Sequence, residues 1–120
     1  MGNFRTLLAY QKAFTLAMEI YEVTKKFPSE EKYSLTDQIR RSSRSVCTNI
    51  VEAYKRKRYR DYFISKLNDS ETENAETQVW LDFALACKYL NKEKYDEFVA
   101  INDEIAKLII YMINNPQKFA

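Results

Sequence analysis

The chain has 120 residues, of which 46% are hydrophobic and 30% charged, and its net charge at pH 7 is +2. A chain of this length folds as one domain, and no apolar run approaches the roughly 20 residues that a membrane span needs. The sequence contains one glycine, two prolines and no histidine. Because histidine is the commonest acid–base catalyst and metal ligand, we predict a protein that is not an enzyme and has no cofactor.

Four segments of the chain repeat apolar residues at steps of three and four. Neither glycine nor proline interrupts the chain between Pro28 and Pro116, which favours long helices over a sheet. We predict helices over about residues 7–26, 35–56, 59–90 and 92–114. The predicted fold is all-α, an antiparallel up-down-up-down four-helix bundle that forms a single domain over residues 1–120.

Local signals set the predicted helix boundaries. Phe27-Pro28 ends the first helix, because the residue before a proline is pushed out of the helical region. Ser34, with Asp37 three residues later, predicts a capping box for the second helix. Asn91 is the predicted N-cap of the fourth helix. An uninterrupted helix from 35 to 90 would be about 84 Å long, so we place a reversal at 57–60.

The apolar stripes along the helices also predict which side chains lie in the core. In the first helix one stripe includes Leu7 and Phe14, and a second includes Leu16 and Ile20. The fourth helix is apolar on more than one side around Leu108, which predicts self-association. Cys47 and Cys87 lie forty residues apart in apolar surroundings, so we expect buried free thiols and not a disulfide.

The positive charge is concentrated on one segment. Residues 40–60 read RRSSRSVCTNIVEAYKRKRYR and contain eight basic residues and one acid. Residues 1–66 carry a net charge of +7 and residues 67–120 carry −5. Cations neutralise phosphates and tyrosines stack on unpaired bases, which indicates RNA binding. The candidate RNA-binding residues are Arg40, Arg44, Tyr54, Lys55, Arg56, Lys57, Arg58, Tyr59 and Arg60. The alternative is a solvated helix end whose tyrosines pack inward.

Two stretches of the sequence resemble a known family. The stretch LTDQIRRSSRSVCTNIVEAYKRKRYRDYF, with SETENAETQVWL further on, is similar to the four-helix-bundle proteins encoded in intervening sequences of bacterial 23S rRNA genes, also described as ribosomal-protein-like. The family pattern has glycines where this chain has Ala53 and Lys55. The resemblance implies a homopentamer. A related accessory protein of diversity-generating retroelements is similar to a barrel that binds nucleic acid and a reverse transcriptase.

The same resemblance, with the spacing of polar residues, predicts a structural polar layer between the second and third helices. Glu73 or Glu76 would pair there with Arg41 or Arg44, alongside buried Ser70, Asn74 and Thr77. The predicted members of the layer are Arg41, Asn49, Glu52, Glu73 and Glu76. A carboxylate-bridged metal site is the alternative for the glutamates, but it lacks the histidines that such bundles use. Nucleophilic catalysis by Ser42 or Ser43 lacks a general base, so close helix packing is favoured.

These observations predict a cytoplasmic, non-catalytic, homo-oligomeric bundle that binds RNA or associates with a ribonucleoprotein. Charged and polar residues near the N-terminus, MGNFRTLLAYQKAF, argue against a signal peptide, and we expect no membrane contact. The alternative is an oligomeric scaffold that binds a protein partner, such as a reverse transcriptase, without touching RNA.

Overall fold

Four α-helices make up most of the structure, a computed structural model that describes residues 3–120. The helices are α1 (Leu8–Thr24), α2 (Leu35–Lys55), α3 (Arg60–Ala86) and α4 (Lys92–Asn114). Short 3-10 turns precede α1, join α1 to α2 and follow α4. The predicted all-α fold of four helices is confirmed, and the predicted helix ends agree within about two residues except at the end of α3.

The helices surround one core in the order of the chain. Each helix packs on the next one, and α1 also packs on α4. Cross-helix hydrogen bonds show that α2 and α3 run antiparallel, because Ser42 meets Thr77 while Ser70 meets Val46. Helices joined by short connections and packed side by side must alternate in direction, which gives the up-down-up-down arrangement.

The core consists of large aliphatic and aromatic side chains from all four helices. The largest fully buried apolar side chains are Ile20, Ile39, Ile50, Phe63, Leu67, Leu81, Phe98, Ile105 and Ile109. In α1 the predicted stripe with Leu16 and Ile20 faces the core, whereas Phe14 is half exposed. Buried Ala9, Ala13 and Ala17 lie beside that stripe, so α1 meets its neighbours through small side chains and Phe14 is left outside.

The start of α2 is capped by a glutamate from the preceding turn. Ser34 stands at the N-cap, but its Oγ donates to Glu31 Oε1 at 2.6 Å and Leu35 N donates to the same oxygen at 3.2 Å. Glu31 Oε2 accepts from the Tyr89 hydroxyl at 2.8 Å, which ties two connections at this end of the bundle together. The hydrogen bonds from Ser34 and then Tyr89 lower the pKa of Glu31, and the bond to Glu31 raises the pKa of Tyr89 to about 12. The predicted Ser34–Asp37 capping box was wrong.

The end of α3 also differs from the prediction. The helix stops at Ala86 and does not reach Leu90, because Lys88 adopts a φ of 65°. The Tyr89 amide donates to the Ala84 carbonyl and the Lys88 amide donates to the Leu85 carbonyl, both at 2.9 Å. This is the hydrogen-bond pattern of a Schellman cap, in which glycine usually takes the left-handed position. A lysine in that position gave no sequence signal for the stop.

Two other predicted boundaries are confirmed. Asn91 Oδ1 accepts a hydrogen bond from Lys94 N at 2.7 Å and so caps α4. The reversal between α2 and α3 lies at residues 56–59.

The two cysteines occupy different environments. Both are free, but only Cys47 is buried, and the prediction that Cys87 is buried was wrong, because the end of α3 leaves it exposed. Burial raises the pKa of the Cys47 thiol to about 11. Within residues 3–120, no helix is long and apolar enough to cross a membrane. The same part of the chain contains no group of three or more Cys, Asp or Glu side chains arranged to hold a metal ion.

Candidate nucleic-acid interface

The reversal between α2 and α3 gathers the predicted basic residues at one end of the bundle. We call residues 54–62 the basic corner. The chain turns within four residues, and Tyr59 N donates to the Arg56 carbonyl at 2.9 Å to close the turn. The cations of the corner are Lys55, Arg56, Lys57, Arg58 and Arg60. Arg56, Lys57 and Arg58 directly follow α2 and so lie near the negative, C-terminal end of its helix dipole, where positive charge is favourable.

The corner cations are available to a ligand. Four of the five are exposed, Lys57 is half-buried, and within residues 3–120 none of them forms a salt bridge. Three of them lie above tyrosine rings. Lys57 Nζ is 4.1 Å from the Tyr54 ring centroid, and the Arg58 guanidinium is 5.1 Å from that of Tyr59. Arg56 lies 5.4 Å above the ring of Tyr62 in the same way. Tyr59 is 51% exposed, so its ring is open to a stacking partner.

Two further cations belong to this end of the bundle and were missed from the sequence. In an up-down-up-down bundle the start of α1, the α2–α3 reversal and the end of α4 lie together. Arg5 precedes α1 and Lys118 follows α4, and both are exposed. Residues 3–18 and 105–120 contain no acid at all. Arg5 and Lys118 lie far from residues 54–62 in the sequence, so only the order of the helices in the bundle shows that these cations share one end.

Arg40 and Arg44 do not belong to the basic corner. Arg40 is half-buried against α1, where its Nε donates to Thr24 Oγ1 at 2.8 Å and its guanidinium lies 4.7 Å from the Tyr21 ring centroid. Arg44 is exposed and lies 5.6 Å from the same ring centroid. At 1.5 Å per helical residue, Arg44 is about 16 Å from Lys55 along α2. The structure therefore separates two of the predicted residues from the others.

Three members of the predicted polar layer make local contacts. Arg41 Nε pairs with Asp37 at 3.0 Å on the surface of α2. Asn49 Nδ2 donates to the Ser45 carbonyl one turn earlier. Glu52 pairs with Lys66 of α3 at 3.0 Å. The contacts of Arg41 and Asn49 stay within α2. The Glu52 pair joins α2 to α3, but at the exposed edge of their interface and not inside it.

The predicted ion pairs of Glu73 and Glu76 with Arg41 or Arg44 are absent from residues 3–120. Glu76 is exposed and Glu73 is half-buried. Desolvation of Glu73, with the nearby charge of Glu76, raises the Glu73 pKa. This part of the prediction was wrong, because helical spacing places the glutamates on α3 without deciding whether that side meets α2.

The buried polar layer is built from neutral side chains instead. Ser42 Oγ and Thr77 Oγ1 are 2.8 Å apart across the α2–α3 interface. Asn74 Nδ2 donates to the Asn102 carbonyl at 3.0 Å, and Asn102 Nδ2 donates to the Asn74 carbonyl at 3.0 Å. The burial predicted for Ser70, Asn74 and Thr77 is confirmed, whereas Ser42 and Asn102 had not been assigned to the layer.

Fold and site together define a four-helix bundle with a cationic, tyrosine-bearing corner. The family model of the 23S rRNA-intervening sequence protein matches residues 5–111. The chain belongs to this family. It is similar, at 32% identity and a TM-score of 0.81, to the crystal structure of a protein of unknown function from the S23 ribosomal protein family of Bacteroides thetaiotaomicron VPI-5482. That match covers 89% of this chain and 96% of the other. No curated protein matches the sequence.

Proposed function

We propose that the chain is a single-domain, non-catalytic, homo-oligomeric protein that binds RNA through its basic corner. The observation that carries the proposal is a set of five cations at one end of the bundle that form no salt bridge within residues 3–120, three of them above tyrosine rings. The family takes its name from sequences that interrupt a ribosomal RNA gene, which fits an RNA partner, although such a name describes where a gene lies. The family resemblance also supports a pentamer.

The proposed contacts divide between phosphate and base. The five corner cations, Lys57 included, neutralise phosphates, which makes binding sensitive to salt and only weakly selective for sequence. Tyr54 and Tyr59 lie among these cations. The exposed face of Tyr59 stacks on an unpaired base, so single-stranded or looped RNA is favoured over a continuous duplex.

A salt titration of RNA binding tests the proposal. The test variant replaces Lys55, Arg56, Lys57 and Arg58 by Gln, and the matched control replaces Lys25, Lys26, Lys32 and Lys92, which all lie at the opposite end. Both variants lose four positive charges. Fluorescence anisotropy of a labelled single-stranded RNA gives the slope of log K against log salt. Each lost phosphate contact reduces that slope by about 0.7, so we expect a reduction of nearly 3 for the test variant.

The control is expected to keep the wild-type slope, because its lysines do not lie at the corner. Equal losses in both variants would mean that net charge alone drives binding, and the basic corner would be rejected as the site. Unchanged binding by the test variant would place any RNA site elsewhere and would also reject the basic corner, whereas a wild type that binds no RNA at low salt would reject RNA binding itself.

One observation favours the second candidate, a scaffold that binds a protein partner. Large apolar side chains are exposed on α1 and α3, among them Phe14 and Phe83 at 50% and 53% exposure. Surfaces of this kind mark protein interfaces. If the chain binds no RNA at low salt but still self-associates, the scaffold function replaces RNA binding.

A further inference from the structure

A strip of apolar side chains runs along the outside of α3. Ala75, Val79, Phe83 and Ala86 recur at steps of four and three, and all four are exposed, Val79 by 46% and Phe83 by 53%. The Trp80 ring lies beside Phe83, with 5.9 Å between the ring centroids. We call this surface the α3 stripe. Such spacing forms a continuous ridge on one side of a helix, and the single chain leaves that ridge uncovered.

A complementary hollow lies between α1 and α2. This α1–α2 groove has a volume of about 530 Å³ and apolar lining residues that include Phe14, Met18 and Val51, with Arg44 and Glu52 among its polar ones. Phe14 and Met18 are about half exposed. None of the five basic corner cations lines the groove, so a ligand at the corner and a partner in the groove do not compete for the same side chains.

The charges beside the two surfaces are opposite. Residues 67–86 of α3 contain five acids and no base. Glu76, one turn before Val79 and Trp80, is exposed and has no salt-bridge partner within residues 3–120. At the groove, Glu52 already pairs with Lys66, which leaves Arg44 as the exposed charge without an acidic partner in that same part of the chain. If the α3 stripes of two copies packed against each other, their acids would repel. If the α3 stripe of one copy packs in the α1–α2 groove of another, Glu76 approaches Arg44.

We propose that the α3 stripe of one copy lies in the α1–α2 groove of a second copy, with Glu76 against Arg44. The inference rests on the self-association in the proposed function and names the two surfaces that carry it. The contact is heterologous, because each copy uses one surface to bind and offers the other to be bound. It also gives Arg44 a role in assembly and leaves RNA to the basic corner.

Variants that block one surface at a time test the contact. Phe83→Glu disables the stripe and Met18→Glu disables the groove. Ile110→Glu is the comparison variant, because Ile110 is also a half-exposed apolar residue but lies outside both surfaces, on α4, whose apolar sides are the competing surface for self-association; a monomer of this variant would place the contact on α4 instead. Light scattering coupled to gel filtration reports the mass. We expect an oligomer for the wild type and the comparison variant, and 14.3 kDa monomers for both test variants. Each substitution at the centre of the contact weakens association by more than about 30-fold.

Mixing the two monomeric variants gives the sharper result. The Phe83→Glu copy keeps an intact groove and the Met18→Glu copy keeps an intact stripe, so one contact forms between them. The mixture is therefore expected to yield a complex of two chains and nothing larger. An isologous contact would give no complex, and a mixture that stays monomeric overturns the proposal.

Charge reversal tests the same contact without inserting a charge into an apolar surface. Arg44→Glu and Glu76→Arg are each expected to weaken association, and the double variant is expected to restore it. Circular dichroism checks that each variant is folded, and if Phe83→Glu unfolds, the charge reversal decides. A wild type that is an oligomer while every variant keeps its mass would refute these surfaces and leave self-association standing. A monomeric wild type would refute both the proposed contact and the self-association on which it rests.

Discussion

Replacing both Asn74 and Asn102 by leucine is expected to stabilise the bundle. The two asparagines are 3% exposed, and each donates its amide to the other's backbone carbonyl. Their side-chain oxygens are buried without a hydrogen-bond donor within residues 3–120. Leucine has the same branching as asparagine and no polar atoms, so it fits the same outline. The substitutions therefore remove two unsatisfied oxygens together with two hydrogen bonds.

The magnitude follows from these losses and gains. Each buried oxygen without a donor costs about 1–3 kcal/mol, and each lost hydrogen bond contributed about 1 kcal/mol. For the pair we expect a net gain of about 2 kcal/mol in the free energy of unfolding. With an unfolding entropy of about 2.1 cal/mol/K per residue, this gain raises the Tm by about 8 °C. Thermal and urea unfolding, measured at one fixed protein concentration because association also stabilises, provide the assay.

The single variants test the geometry. Because each amide binds a backbone carbonyl, replacing one asparagine leaves the hydrogen bond of the other intact. The two effects should therefore add, with a coupling energy below about 0.5 kcal/mol. A coupling above about 1 kcal/mol would mean that the two side chains bind each other directly. If the double variant were less stable than the wild type, the side-chain oxygens would not be unsatisfied in the folded protein, and the reasoning would fail.

Two further predictions concern titratable groups. Because hydrogen bonds lower the pKa of Glu31 in the folded state, its contribution to stability is present above the ordinary value of 4.5 and is lost as the pH falls through the lowered one. Glu31→Ala should thus be less stable than the wild type at neutral pH, and the difference in the free energy of unfolding should shrink as the pH falls through the lowered pKa; a difference that does not change with pH would contradict the assignment. At pH 7 a thiol reagent should modify the exposed Cys87 and leave Cys47, whose pKa burial raises to about 11, unreacted. Cys87→Ser is therefore expected to abolish labelling in the folded protein, and Cys47→Ser to leave it unchanged.

Sequence periodicity predicted the fold because it reports directly on burial. Val46, Ile50 and Ala53 recur on one side of α2, and all three are buried. Boundaries were predicted where a residue type has a dedicated local role, as with Asn91. The end of α3 was missed because Lys88 takes a backbone conformation that glycine usually provides. The sequence alone does not distinguish a lysine in this left-handed conformation from a lysine inside a helix.

The contacts between side chains of different helices were harder to predict than the side of a helix on which each residue lies. Helical spacing placed Glu73 on α3, but it does not determine how far that helix is rotated against α2 or which cation lies within reach. Asn102 was missed for the same reason, since its only signal is a polar residue within an apolar stripe and its partner lies 28 residues away. Pairing across helices depends on the rotation and axial position of both, and single-helix periodicity contains neither.

The concentration of basic residues between 40 and 60 therefore has four separate physical causes, one of which is the surface pair of Arg41 with Asp37. Arg40 is part of the packing between α1 and α2, where its guanidinium lies on Tyr21 and bonds to Thr24. Arg44 stands at an apolar groove, where an acid from outside the chain can neutralise it. The basic corner combines exposure and tyrosine rings with cations that form no salt bridge in the part of the chain that the structure describes. If one surface served all eight cations, substitutions at Arg44 and in the basic corner would weaken RNA binding alike, whereas the structure predicts that Arg44→Glu changes the mass of the assembly and the corner variant changes the salt slope.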